Sequence, residues 1–267
     1  MQPLEFSTMP GTFDFIGFTI DDRVARIKLA RPPVNILSIP MMREINAALD
    51  ECSNQRDLAA IVFEAAPDCR AFSAVVSVEE HAHETIFQML DSFHAIFRNL
   101  EQIGRPSVAV VNGPALGGGC ELITYCDFVI AGDQARFGQP EIKLGVFPPV
   151  AALLLPRVIG DRRARELMLT GEIIEAREAL ALGLVNRVVP ATELEQEVSQ
   201  LLTQLRGLSA SALEHAKRAI DLGQGRSLDA ALKEIEDMYL HELMKTHDAT
   251  EGINAFIEKR KAAWQHR

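Results

Sequence analysis

Glu121 and Glu141 are the residues in this chain best placed to do chemistry. The apolar run Ser107-Val-Ala-Val-Val111 leads into Asn112-Gly-Pro-Ala-Leu-Gly-Gly-Gly-Cys-Glu121, and a second acid closes Phe137-Gly-Gln-Pro-Glu141. A β-branched run that stops at Asn-Gly-Pro reads as a buried strand reaching a turn. The glycines that follow let backbone approach a ligand closely, and Cys120–Tyr125 reads as the start of a helix. Unpaired N–H groups at such a start favour an oxyanion, with the Glu121 carboxylate one turn inside. Acid–base chemistry beside a polarised carbonyl is what this layout suits. Taken singly, each acid would pass for a first-turn helix carboxylate favoured by the dipole; glycine turn, first acid and second acid together say more.

Other chemistries fit less well. From Gly113 the order is G-P-A-L-G-G-G rather than G-x-G-x-x-G, and no Lys-Ser/Thr follows, which argues against dinucleotide and P-loop sites. His81 and His83 give two close metal ligands and no third, so no metal is expected. His94, at the edge of a helical apolar face, reads as a packing histidine or as a pocket contact. Cys52, Cys69, Cys120 and Cys126 have no C-x-x-C spacing and read as reduced thiols of a cytoplasmic protein.

The elements that must position the two acids follow from periodicity. Phe13–Ile20 and Val24–Leu29 read as strands joined by a turn at Asp21-Asp22-Arg23, Met41–Cys52 as a helix, and Ala59–Glu64 as a buried strand. Glu84–Ile103 carries Ile86, Met89, Leu90, Phe93, Phe97 and Leu100 on one face. Ser107–Val111 and Phe128–Ala131 supply further strands, and the alternation argues for an α/β core with parallel pairing. Beyond Pro148-Pro149 the chain turns helical: Ala164–Thr170, Ala176–Leu182, Glu193–Leu205, Ser209–Leu222, Leu228–Lys245 and Ala249–Ala262. Two regions are expected, a core over 1–205 and a helical region over 206–267. The late helices are apolar enough on one side to suggest oligomer packing.

Composition narrows the partners. With 27 basic and 37 acidic residues the formal net charge is −10, which disfavours nucleic acid and anionic membrane surfaces. The most apolar window, Val150–Leu155, stops at Pro156 and Arg157, far short of a membrane span.

Asn112–Leu122 and Ala135-Arg-Phe-Gly-Gln-Pro-Glu-Ile-Lys-Leu-Gly145 in register resemble the enoyl-CoA hydratase (crotonase) superfamily, and Arg31-Pro-Pro-Val-Asn35, Leu169-Thr-Gly171, Ala181–Val185 and Phe256–Lys261 extend the likeness along nearly the whole chain. The resemblance implies a spiral of ββα repeats with a C-terminal helical trimerisation region, assembling as a homotrimer or a dimer of trimers. It implies an acyl-CoA thioester as substrate, CoA being part of that substrate, and no separate cofactor. Val76 and Gly118 match the family's two oxyanion-hole amides, and Glu121 and Glu141 match the pair of glutamates with which its hydratases handle one water. Glu121 is then the expected base and Glu141 the expected acid, with Ala74, His94, Phe147 and Pro149 as candidate substrate contacts. Two positions depart from the family pattern. Val75 stands where glycine precedes the oxyanion donor, and would be strained if that position needs φ > 0. Pro149 stands where a glycine N–H can hold the catalytic water. Ser77–His81, Phe93–Phe97 and Gly145–Val150 are most similar to the branch of the family that hydrates cyclic dienoyl-CoA thioesters. The alternatives are a short-chain enoyl-CoA hydratase and a non-catalytic acyl-CoA binder whose oxyanion site Val75 has spoiled.

Overall fold

The computed structural model describes residues 13–267. The chain opens with a hairpin, β1 (Ile16–Asp21) and β2 (Val24–Leu29), whose two linking residues, Asp22 and Arg23, both have positive φ. Such a two-residue turn matches the twist of antiparallel strands. β1 starts three residues later than its sequence pattern suggests. Phe13, Asp14 and Phe15 lie before it, and the Asp14 and Phe15 amides donate to the Glu44 carboxylate.

There follow α1 (Ile39–Ser53), β3 (Ala60–Ala65), α2 (Ile86–Ile103), β4 (Ser107–Val111), β5 (Pro114–Leu116), α3 (Gly118–Tyr125), β6 (Phe128–Gly132) and β7 (Arg136–Gly138). Next come α4 (Pro149–Ile159), α5 (Asp161–Thr170), β8 (Ile173–Glu175), α6 (Ala176–Leu182), β9 (Arg187–Val189), α7 (Leu194–Arg206), α8 (Ala210–Gly223), α9 (Leu228–His241) and α10 (His247–Glu258).

One sheet runs β1-β2-β3-β4-β6-β9 and is parallel from β2 onward; a smaller one runs β5-β7-β8. β3 and β4 are covered on both faces, which is why they read as unbroken apolar runs. Their side chains alternate between two cores. Ile61, Phe63, Ala109 and Val111 pack toward the body that contains α1, α2 and α3, while Ala60, Val62, Val108 and Val110 meet Leu194, Val198, Leu201, Leu202 and Leu205 of α7. α2 ends at Gly104, whose φ of 64° allows its N–H to reach back to the Leu100 carbonyl at 3.1 Å.

Sequence periodicity alone passes over α4 and the three-residue strands β5, β7, β8 and β9. α4 carries a proline at its first position and another inside it, Pro156. That pattern hides a helix even though proline is well tolerated in the first turn.

Candidate active site

The segment between Arg31 and Val76 is built around Asn35. Its side chain is fully buried; Nδ2 donates to the carbonyls of Ala71 and Phe72 at 3.0 and 3.1 Å, and Oδ1 accepts the Arg31 N–H at 2.8 Å. Ser73 Oγ donates to the Asn35 carbonyl, and the Ala74 N–H to the Val34 carbonyl. The 71–77 segment is thereby held extended between Leu37 on one side and β5 on the other, through bridges Leu37–Val76 and Ser73–Ala115.

Bridge geometry fixes where the Val76 amide points. Leu37 donates to the Val75 carbonyl and accepts the Ser77 N–H, so Val76 turns its own N–H away from Leu37, toward the side of α3. Val75 is not among the residues with positive φ. The expected strain at Val75 does not arise.

Across from Val76 lies Gly118, the first residue of α3, preceded by Gly117 with φ 53°. A Cβ on Gly117 would stand 2.5 Å from Glu141 Oε1, and one on Gly118 would stand 2.4 Å from Val76 Cγ2. Two glycines are thus what lets α3 begin against both the Val76 strand and Glu141. Among the described residues, neither the Val76 nor the Gly118 N–H has a hydrogen-bond partner. Gly118 is buried and Val76 half-buried, and since amides so placed are nearly always paired, two free ones on facing segments mark a place for an acceptor.

Both acids line one cavity. Around them stand Val75, Val76, Val78, His81, Met89, Leu90, Phe93, Pro140, Leu144, Val146, Phe147, Pro148 and Pro149. Glu121, on the first turn of α3, is 3% exposed, and its Oε1 accepts the Val150 and Ala151 N–H groups at 2.8 and 3.0 Å. The α4 N-terminus therefore grips one oxygen of the base candidate and leaves the other for a ligand. The N–H that Pro149 lacks is not needed for that grip, since the next two residues supply it. Burial pushes the Glu121 carboxyl up to about 7; the Ala151 and Val150 amides oppose the shift, and the nearby Glu141 adds to it. Glu141, on the short 3-10 turn Pro140–Leu144, is also raised to about 7 by burial, with only its own backbone N–H opposing. Of the two, Glu121 has the surroundings that favour the anion.

Gln139 joins these parts. It is fully buried, and with its amide nitrogen turned toward the acceptors around it, it donates to the Gly117 carbonyl and to Glu141 Oε2, both at 3.3 Å. The Glu121 N–H also donates to the Gly117 carbonyl, at 2.9 Å. That carbonyl belongs to the same peptide unit as the Gly118 N–H, so its two donors fix the plane of the free amide. The roles of Asn35, Gln139 and the Val150 and Ala151 amides are missed by sequence reasoning. Asn35 and Gln139 lie inside motifs noticed for other reasons, whereas the two amides leave no trace in side-chain identity.

The cavity does not take in every expected contact. Phe147 and Pro149 line it, Phe147 standing at the mouth with 66% of its surface exposed. Ala74 and His94 do not. The Ala74 amide is spent on Val34. His94 follows Phe93 on α2 and so faces about 100° away from it. Its Nε2 is buried without a partner, and burial lowers its pKa, with the Arg98 charge adding to the effect. His94 therefore stays neutral and takes no part in the cavity. Burial pushes the Cys52 and Cys120 thiols up to about 12 and Cys126 up as well, which leaves no thiolate nucleophile among them.

The sequence profile of the enoyl-CoA hydratase/isomerase family matches residues 19–267. The chain belongs to that family. It is 40% identical over 259 residues to "Probable enoyl-CoA hydratase echA8" of Mycobacterium bovis, covering 96% of this chain and 100% of that one. It is 36% identical over 248 residues to "Cyclohexa-1,5-dienecarbonyl-CoA hydratase" of Thauera aromatica, covering 92% and 95%. The crystal structure of enoyl-CoA hydratase from Bacillus anthracis superposes with a TM-score of 0.88 at 31% identity, over 95% of this chain and all of that one. The fold is the crotonase fold, as its motifs suggest, and the chain is a hydro-lyase of the enoyl-CoA hydratase/isomerase family. Among the described residues no helix is long and apolar enough to cross a membrane, and no group of three or more His, Cys, Asp or Glu is arranged to hold a metal.

Proposed function

We propose that the enzyme adds water to a conjugated acyl-CoA thioester, and that its acyl group is a cyclic diene, cyclohexa-1,5-diene-1-carbonyl-CoA, which would give 6-hydroxycyclohex-1-ene-1-carbonyl-CoA. The observation that carries the hydration reading is the pairing of a buried acid and a half-buried one, both raised to about 7, with two free amides on opposing segments. The thioester oxygen accepts the Val76 and Gly118 N–H groups. As a nucleophile attacks the β carbon, negative charge collects on that oxygen, and a preorganised donor there contributes about 3–4 kcal/mol to the transition state. Glu121, with Oε1 held by α4, takes a proton from the water through its other oxygen. Glu141, lacking outside donors other than the Gln139 amide, is the partner that stays protonated; it holds the attacking water and, on a straight chain, supplies the α-carbon proton. Only the chain's own acids and amides enter these steps; CoA arrives as part of the substrate.

The ring is supported by the Thauera aromatica relative, by the motif phrases around Ser77, Phe93 and Phe147, and by an apolar cavity walled by Met89, Leu90, Phe93, Phe147 and Pro149. A short-chain enoyl-CoA hydratase is the second reading, supported by the 35% identity over 248 residues to "Short-chain-enoyl-CoA hydratase" of Clostridium acetobutylicum. The non-catalytic reading loses its motive, because Val75 does not occupy a left-handed conformation. Assembly as a trimer or a dimer of trimers belongs to this proposal, and is supported by Leu228, Tyr239, Leu240, Phe256 and Ile257, apolar and exposed on α9 and α10. A cytoplasmic location fits the cysteines, none of which is disulfide-bonded. Turnover of crotonyl-CoA set against that of the cyclic dienoyl-CoA separates the two readings. Faster hydration of the ring supports the first; equal or faster hydration of crotonyl-CoA leaves the second.

A further inference from the structure

The cavity has fifteen lining residues and only three polar side chains among them: Glu121, Glu141 and His81. The first two are accounted for above; the third is not. His81 closes the short turn Glu79–His81, and its two acidic neighbours are engaged elsewhere. Glu80 Oε2 accepts the Ile39 N–H at 2.8 Å, and Glu79 Oε2 accepts the Ser77 hydroxyl at 3.0 Å. His81 Nδ1 lies 2.8 Å from the Ser77 carbonyl. A carbonyl can only accept, so Nδ1 carries the hydrogen and is spent on Ser77, which leaves Nε2 as the nitrogen available to a ligand. The rest of the acyl wall is Val, Met, Leu, Phe and Pro, which leaves the imidazole as its one polar side chain besides the two acids.

The chemistry of the proposed substrate calls for such a group. When water attacks the β carbon of a straight-chain enoyl thioester, the resulting enolate is protonated at the α carbon, next to the held oxygen. In a ring whose α carbon is also singly bonded to a second double bond, attack gives a dienolate. Its far end must take the proton if the product is to keep a double bond conjugated with the thioester. That carbon is two bonds beyond the α carbon.

We propose that His81 is a catalytic residue of the ring reaction, the acid that protonates the far carbon of the dienolate through Nε2. Glu121 takes one proton from water, the hydroxyl oxygen bonds to the β carbon, and the electron pair passes through the dienolate to form the new C–H bond with the His81 proton. The proton on Glu121 then returns to His81 through solvent, and one water is consumed. Glu141 keeps its place on the water and on α-carbon protonation of straight chains. This inference rests on the ring reading of the function.

The test is His81→Gln, which keeps a polar side chain of similar reach without a titratable nitrogen. Circular dichroism and CoA-thioester binding serve as checks on folding. The ratio of cyclic dienoyl-CoA to crotonyl-CoA turnover is expected to fall by about 100-fold, the usual size of a general-acid contribution. In deuterium oxide the wild type is expected to exchange the ring position two bonds from the α carbon of the hydroxylated product, and the variant to lose that exchange. A ratio within threefold of wild type with exchange retained overturns the role of His81 and leaves the ring reading standing. A wild type that turns over crotonyl-CoA but not the ring overturns both. Should His81→Gln be poorly folded, His81→Asn is measured in its place against the same two outcomes.

Discussion

Glu121 shows how a single carboxyl is made fit for its task at a cost to stability. Burial moves it from an ordinary value of 4.5 to about 7, against the pull of two amides. A carboxyl whose folded-state pKa is raised stabilises the fold fully below its unfolded value, and that contribution is lost as pH climbs through the folded value, here from 4.5 toward 7. The shift corresponds to roughly 3 kcal/mol. Glu121→Gln keeps an oxygen for the Val150 and Ala151 N–H groups and removes the charge. It is therefore expected to melt at a higher temperature than wild type at pH 8 and to lose that advantage at pH 5, as thermal scans at the two pH values would record. Because Glu141 is raised to about 7 as well, kcat/KM is expected to trace a bell centred near pH 7. On the acid side the pair gains a proton and the base is lost; on the alkaline side both ionise and the acid is lost. A profile flat from pH 5 to 9 would contradict the assignment. The glutamates themselves were legible in the sequence, since glycine turn and acid sit in one run of residues. The partners of Glu121 Oε1 were not, because main-chain donors have no letter in a sequence.

At the scale of elements, α4 is the piece that the sequence concealed and the site depends on. Its apolar run, bounded and broken by prolines, has no amphipathic stripe to identify it, yet its first turn supplies both donors to Glu121. Val150→Pro tests that dependence, since proline is tolerated in a first helical turn but has no N–H. The variant is expected to fold and to lose about 10- to 100-fold in kcat, with the midpoint of the acid limb of the pH profile moved upward because the anion of Glu121 has lost a donor. An unchanged limb would mean that α4 merely fills space. α2, by contrast, was legible almost to the residue, because Met89, Phe93, Phe97 and Leu100 recur at helical spacing against one core. The three-residue strands β5 and β7 were not, being too short for any period. They matter all the same, as their parallel pairing sets Gly117 beside Gly138 and so brings the two acidic motifs together. Gly118→Ala is expected to abolish activity while secondary structure persists, because the added Cβ would meet Val76 Cγ2 and the Phe93 ring. Activity above one tenth of wild type would remove Gly118 from the oxyanion site.

For the molecule as a whole, a net charge of −10 leaves binding of an anionic CoA to local basic groups rather than to the overall field. The late helices were read correctly as helices from their spacing, and their exposed apolar residues are what supports the proposed assembly. The patch itself was not legible as one surface, since it is assembled from residues far apart in sequence, from Leu228 to Ile257. The proposed chemistry rests on one premise, that Glu121 and Glu141 act as a pair on the same water. The most direct test is kcat for Glu121→Gln, Glu141→Gln and the double variant on the better of the two thioesters. Each single change is predicted to cost at least about 100-fold, and the double change far less than the product of the two, as for groups that work as a unit. A loss below tenfold in both single variants, or fully multiplicative losses in the double, would contradict the account.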